Sequence, residues 1–328
     1  MEYVNLGRTG LKVSPLCLGT MNFGPITSEA DSHTIMDAAL ERGLNFFDTA
    51  DVYGWQRGEG ITEKVLGTWF AKGEGRRDAV VLATKAYGPM GDGPNDRGLS
   101  ARHLIAACEA SLKRMQTDYI DLYQMHHVER STPWEEIWQA MDLLVSQGKI
   151  RYVGSSNFAG WHLVAAQEAA NRRNSLGLVS EQGLYNLMAR TVELEVLPAA
   201  EAYGIGFLPW SPLNGGALSG ALRKIAEGKA GRSATGPGNE RVEENREQLA
   251  AWEKFCEEFG HDPADVGLAW LLTRPAVTAP IVGPRTIEQL DSTLGCLDVQ
   301  LDDEQLDKLD ELFPPVGKGG PGPEAWAW

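Results

Sequence analysis

The chain has 328 residues, 43% of them hydrophobic, and a formal net charge of −15. That is enough apolar material for one large core or two small ones. So acidic a surface repels nucleic acid and anionic membranes, and no apolar run is long enough to cross a bilayer.

Four cysteines, Cys17, Cys108, Cys256 and Cys296, lie far apart and form no CxxC pair. They read as buried free thiols, which suits a reducing compartment. With no charged, then apolar, then small-residue leader at the start, the expectation is a cytoplasmic protein.

The opening MEYVNLGRTGLKVS carries two alternating runs around Arg8-Thr9-Gly10 and predicts a hairpin over residues 1–14. Eight short apolar runs follow: PLCLGT from Pro15, NFF before Asp48, AVVLATK ending at Lys85 and YIDLYQMH ending at His126, then KIRYVGSSN, LGLVSEQ, GIGFLPWS and AVTAPIVG. Helical patterns lie between them. In SARHLIAACEASLKRM, residues Leu104, Cys108, Leu112 and Met115 share one face and Ser100 is placed to cap it. In TPWEEIWQAMDLLVSQG, Thr132 reads as the cap, Pro133 as the first helical residue and Gly148 as the stop.

Eight strand–helix units in a chain of this length predict one closed (β/α)8 barrel, here residues 1–313, with the hairpin at its bottom. An open doubly wound sheet would announce a nucleotide site by GxGxxG after its first strand, and none stands there. Two segments break the pattern. Residues 214–241, after the seventh strand, are rich in glycine and charge and predict a long loop of the kind used as a lid. Residues 314–328 form a Gly/Pro-rich tail that is expected to be flexible and ends in two tryptophans.

Polar residues gather at one end of successive strands. Asp48 and Tyr53 follow strand two, Lys85 ends strand three, and His126 ends strand four. Ser156 and Asn157 follow strand five, Gln182 ends strand six, and Trp210 and Ser211 end strand seven. In a barrel these positions ring one mouth. Singly, each has a plainer reading: Lys85 turned to solvent with its stem on Val81, His126 a satisfied core histidine, Asn157 a helix cap, Trp210 core packing. Together they are costly to bury without a use.

The chemistry that needs Asp, Tyr, Lys and His together is proton transfer to a developing alkoxide. A free tyrosine, with a pKa of about 10, is a poor acid at neutral pH. A nearby ammonium such as Lys85 is expected to lower that value, with Asp48 holding the ammonium and His126 polarising the substrate oxygen. None of the four can give up a hydride, so reducing power must come from a cofactor; Trp210 is placed to back a nicotinamide ring. A hydrolase lacks its GxSxG elbow. A metal enzyme would want clustered ligands, whereas His126 and His127 are adjacent and point apart. A non-catalytic binding module would have no need of the intact tetrad.

From GRTGLKVSPLCLGTMNFG to IVGPRTIEQL the chain resembles the aldo-keto reductases, with several separated motifs in the right order. The resemblance implies a (β/α)8 barrel with an N-terminal hairpin and NAD(P)H-dependent carbonyl reduction without a metal. LNFFDTADVYG gives Asp48 and Tyr53 as catalytic residues, the strand-three lysine gives Lys85, and DLYQMH gives His126. Gly154-Ser155-Ser156-Asn157 matches a GxSN motif whose Ser156 and Asn157, with Gln182, would hold the cofactor carboxamide. The WSPL run places Trp210 for stacking and Ser211, Pro212 and Leu213, with Gly215, near the pyrophosphate. Gly19, Thr20 and Met21 join Asp48 on the cofactor side. Gly283, Arg285, Gln289 and Thr293 resemble the adenosine clamp, with Arg285 the partner of a 2′-phosphate, so NADPH is expected over NADH.

This clamp often carries Asn where the chain has Thr293, and long-tailed metabolic members have a basic residue nearer it than Gln289. The substrate walls implied are Met21, Trp55, Tyr87 and His127. The expected partner is a small carbonyl compound, with no nucleic acid or membrane, and the chain acting as a monomer or homo-oligomer. Two branches supply alternatives: reductases of nucleotide-linked keto-deoxysugars, and potassium-channel beta subunits that bind nicotinamide cofactor in a regulatory role.

Overall fold

A computed structural model describes residues 1–229 and 236–316. Strands β1 (Val4–Asn5) and β2 (Lys12–Val13) pair antiparallel, Val4 opposite Val13, as the predicted hairpin. Its turn lies against the barrel floor. Gly7 has φ +52, and a Cβ there would sit 2.6 Å from the carbonyl oxygens of Gly204 and Val179, so only glycine fits. The Arg8 guanidinium donates to Leu178 O (3.1 Å) and Tyr203 O (2.6 Å). Leu6 and Val13 are fully buried in one cluster with Cys17, Phe46, Val81, Leu122 and Leu208, which fill the barrel interior.

The barrel strands are β3 (Cys17–Gly19), β4 (Phe46–Asp48), β5 (Val81–Ala86), β6 (Ile120–Met125), β7 (Ile150–Ser156), β8 (Leu178–Leu184), β9 (Gly206–Trp210) and β10 (Ile281–Val282). All neighbours are parallel, and β10 pairs with β3. The eighth strand is shorter than the expected AVTAPIVG run. Phe207 of β9 pairs with the stretch before it, its amide donating to Ala276 O (2.7 Å) and its carbonyl accepting from Thr278 N (2.8 Å). The ladder then breaks at Pro280, which has no N–H to give. Its carbonyl still accepts from Cys17 N at 3.0 Å.

The helices are α1 (Glu29–Glu41), α2 (Ile61–Phe70), α3 (Arg76–Ala79), α4 (Ala101–Met115), α5 (Trp134–Ser146), α6 (Gly160–Asn171), α7 (Val196–Tyr203), α8 (Ala221–Ala226), α9 (Gly236–Glu244), α10 (Arg246–Phe259), α11 (Pro263–Leu272), α12 (Ile287–Leu294) and α13 (Asp303–Leu312). They lie outside the strands, and Trp69, Trp138, Trp252 and Trp270 are fully buried in the layer between. In α4 the Ser100 hydroxyl accepts from His103 N (3.3 Å), and Leu104, Cys108, Leu112 and Met115 all face the core. The leucines and the methionine each contribute about 1.5–3 kcal/mol by leaving water.

Helix α5 corrects the capping expectation. Pro133 keeps an extended backbone (ψ 143) and is itself the cap, so the helix starts at Trp134. The Thr132 hydroxyl donates instead to Glu129 Oε2 at 2.9 Å. Gly148 does follow the helix end, at φ +70. Residues 214–241 are not a plain loop: they contain α8 and the first turns of α9, and Arg241 of α9 donates back to Asn214 O (3.3 Å). Residues 230–235 and the tail from 317 lie outside the described residues. Among the described residues no helix is long and apolar enough to cross a membrane.

Candidate active site

Strand alternation sets the site. Phe46 and Asp48 share a face of β4, Val81, Ala83 and Lys85 share one of β5, and Leu122 and Gln124 share one of β6. Phe46, Val81, Ala83 and Leu122 line the barrel interior. The polar residue that ends each series therefore points inward, at the C-terminal mouth.

There the Lys85 ammonium, fully buried, donates to Asp48 Oδ2 (2.6 Å), Thr49 O (2.8 Å) and Tyr53 Oη (3.0 Å). The other Asp48 oxygen accepts from Gln182 Nε2 (2.9 Å) and Gln124 Nε2 (3.1 Å). Lys85 is thus saturated by three acceptors and Asp48 by groups from three strands. The rings of Tyr53 and His126 meet edge-on, centroids 5.8 Å apart. All four residues that the sequence singled out for proton chemistry lie together.

Burial works to lower the Lys85 pKa, but Asp48 and Tyr53 outweigh it, so the ammonium is held above its ordinary range. The Tyr53 phenol is pushed up by burial, with Lys85 pulling it down and Asp48 pushing it up. The net direction is upward, opposite to the expectation from Lys85 alone: taking a phenolate out of water outweighs one cation. His126 is lowered to about 3, by burial first and then by Lys85 and His127, so its imidazole is neutral.

The residues expected to hold a cofactor curve around one side of this pit. Thr20 donates its hydroxyl to Asp48 O (2.9 Å). Gly19 packs so close to Ile281 that a Cβ would lie 2.6 Å from its side chain. Ser156 is buried, and Asn157, in the left-handed region at φ +60, donates to Ser156 Oγ (2.9 Å) and His126 O (3.2 Å). The Trp210 indole donates to Asn157 Oδ1 at 3.1 Å, which fixes the ring over the mouth. Ser211 is also left-handed, at φ +53, and its hydroxyl accepts from Gly215 N (3.2 Å). Pro212 is buried, and Leu213 is half-buried against the core.

Across the barrel seam Gly283 O accepts from Asn22 Nδ2 (3.1 Å). Gln289 reaches back to the Arg285 amide (2.9 Å), and Thr293 donates to Leu290 O (2.7 Å) within its own helix. Arg285 is half-buried and makes no ion pair among the described residues. Of the expected substrate walls, Tyr87 and His127 come together, ring centroids 5.4 Å apart, while Met21 and Trp55 stand exposed.

The structure adds residues that sequence reasoning passed over. Gln124 lies two residues before His126 on the same strand face, a signal that alternation could have supplied. Asn22 joins the first and last strand ends, and nothing in the sequence announces it. Asp51, inside the DTADVYG motif, is fully buried. Burial, then Glu63, pushes its pKa well up. Glu181, on the opposite face of β8 from Gln182, is taken up below.

Residues 15–313 match the model of the aldo/keto reductase family. The chain is 53% identical over 333 residues to an uncharacterized oxidoreductase, YrpG, of Bacillus subtilis, with both chains covered in full. It is 33% identical over 322 residues to a probable voltage-gated potassium channel subunit beta of Arabidopsis thaliana, covering 95% of this chain and 97% of that one. It is 33% identical over 344 residues to a versiconal hemiacetal acetate reductase of Aspergillus parasiticus, covering 96% and 98%. With a family match over almost the whole barrel and relatives this similar end to end, the chain belongs to the aldo/keto reductase family.

Proposed function

We propose that this protein reduces an aldehyde or activated ketone to the alcohol, taking hydride directly from NADPH while Tyr53 supplies the proton. The observation that carries this reading is the buried Lys85 ammonium, held at once by Asp48 and Tyr53. The family and its oxidoreductase relatives support carbonyl reduction in general.

Aldo/keto reductases typically use nicotinamide cofactors, and the residues beside the tetrad fit one. Ser156, Asn157 and Gln182 offer donors and acceptors next to Asp48, the Trp210 ring is pinned at the mouth, and the Arg285 guanidinium is left for an anion. When bound, the cofactor supplies the hydride. The other roles fall to the chain. Lys85 stays charged and offsets the negative charge left on Tyr53 once its proton has gone. An alkoxide is far more basic than a phenolate, so the transfer runs downhill even from a phenol of raised pKa. His126, neutral, donates a hydrogen bond to the substrate oxygen without placing a second cation beside Lys85. Gln124 and Gln182 hold Asp48 still, so the ammonium cannot swing away from the phenol.

The potassium-channel relatives support a second reading, a nicotinamide-binding regulatory subunit. A steady-state screen following NADPH absorbance separates the two. It includes aromatic aldehydes, methylglyoxal and nucleotide-linked keto-sugars. Turnover of the first two classes is the expected result. Turnover confined to keto-sugars would replace the broad reductase with a biosynthetic one. No turnover despite tight NADPH binding would sink the enzyme reading and leave the regulatory one.

A further inference from the structure

Along β8 the side chains alternate. Gln182 points inward to Asp48, and Glu181 points the other way, between the sheet and the helices. A carboxyl fully buried there is unusual. It is also engaged: Ser155 Oγ donates to Glu181 Oε2 (2.5 Å) and Phe158 N donates to Glu181 Oε1 (2.9 Å). The two donors flank Ser156 and Asn157, and Asn157 N in turn donates to Gln182 O (2.9 Å). The strand end and the turn after it are therefore tied to β8 at three residues, Ser155, Asn157 and Phe158.

Two features make those ties matter. Asn157 sits in the left-handed region, a conformation that must be held by its surroundings. Glu181 itself lines a cavity of about 270 Å3, together with Asn157, Phe158, Leu184, Val192 and Val196 among others. The segment has room to slump outward if its carboxyl tie is cut.

The geometry points to Glu181 as the positioning residue of the carboxamide subsite, fixing Ser155 and Phe158 and so the two residues between them. This rests on the reading that Ser156, Asn157 and Gln182 hold the nicotinamide. Glu181 touches neither substrate nor cofactor. Its effect is confined to the nicotinamide end, because no tie runs from it to Gly283, Arg285 or Gln289.

The test compares two ligands by tryptophan fluorescence: NADPH, and 2′,5′-ADP, which lacks the nicotinamide. For Glu181→Ala the NADPH dissociation constant is expected to rise on the order of tenfold, the loss expected for one or two hydrogen bonds, with 2′,5′-ADP affinity unchanged. Glu181→Gln keeps an acceptor for Phe158 N–H and is expected to bind both like the wild type. If the alanine variant is too unstable to purify, Glu181→Asp draws the carboxyl back by one carbon and gives the same split at smaller size. Equal weakening of both ligands, or no weakening of NADPH, overturns the inference. A wild-type protein that binds neither ligand overturns the cofactor reading itself, and this inference with it.

Discussion

The Lys85 ammonium stands 3.0 Å from the Tyr53 hydroxyl and 4.8 Å from the centre of its ring. One cation thus meets the phenol at its oxygen and lies near the face of its ring. Because the same ammonium is anchored 2.6 Å from Asp48, its position does not depend on whether Tyr53 is protonated. The proton chemistry proposed for the site rests on that independence.

Tyr53→Phe removes the proposed acid and leaves the ring. NADPH binding is expected to persist, while kcat for carbonyl reduction falls on the order of 100-fold or more. Stopped-flow hydride transfer measures it directly. Retained turnover would move the acid to His126.

Lys85→Met has two expected effects. The phenol loses the cation that pulls its pKa down, so titration of Tyr53 by ultraviolet difference absorbance should move further upward. Asp48 is left buried and unpaired, a change that costs about 3–5 kcal/mol, readable as a lower urea midpoint. An unchanged midpoint would mean that water or a neighbour replaces the ammonium.

His126, lowered to about 3, stays neutral in the folded protein across the working pH range. It should therefore put no inflection into kcat/KM between about pH 5 and 8, where an ordinary histidine titrates. For stability the sign is fixed by the downward shift. The unfolded chain takes up a proton at this histidine below about pH 6.5, and the folded one does not until near 3. Stability is lost as pH falls through that window. His126→Asn should flatten that part of the acid-unfolding curve; an identical curve would deny the shift.

Arg285→Ala tests the cofactor preference. An arginine–phosphate contact is a strong charge-assisted one, so the NADPH dissociation constant should rise by roughly tenfold or more while that of NADH stays put. Equal affinities for the two cofactors in the wild type would defeat the assignment.

Glu181 is raised to about 8 by burial, with Ser155 and the Phe158 and Asn157 amides pulling it back. In the unfolded chain a glutamate titrates near 4.3. The folded state therefore holds the extra proton between those values, and stability falls as pH rises through them. Glu181→Gln abolishes that term. Its Tm relative to the wild type should be higher at pH 9 than at pH 5, and a difference that does not vary with pH would count against a buried proton.

Much of this was legible in the chain. Eight apolar runs ending in polar residues located the barrel and its mouth. Alternation within FFD, VLATK and IDLYQMH put Asp48, Lys85 and His126 on one side. What stayed hidden depends on contacts between distant segments. The Asn22–Gly283 hydrogen bond spans 261 positions. The upward shift of Tyr53 needs the depth of its burial, which no local pattern carries. Glu181 faces away from the site and reads as one more strand residue until Ser155 and Phe158 are seen to close on it. The eighth strand was overdrawn because the apolar composition of AVTAPIVG outweighed its proline.

Tyr53, Lys85 and His126 are each followed within two residues by a residue proposed as a substrate wall: Trp55, Tyr87 and His127. Two residues of extended chain reach roughly 7 Å at most. Each proposed wall is therefore on a short leash, tied to a group proposed to take part in moving the proton. Lengthening a distant loop cannot carry it to a new substrate, and shifting its backbone drags the chemistry along. Changing what this barrel accepts, without blunting what it does, has to proceed by exchanging the side chains at 55, 87 and 127 where they stand.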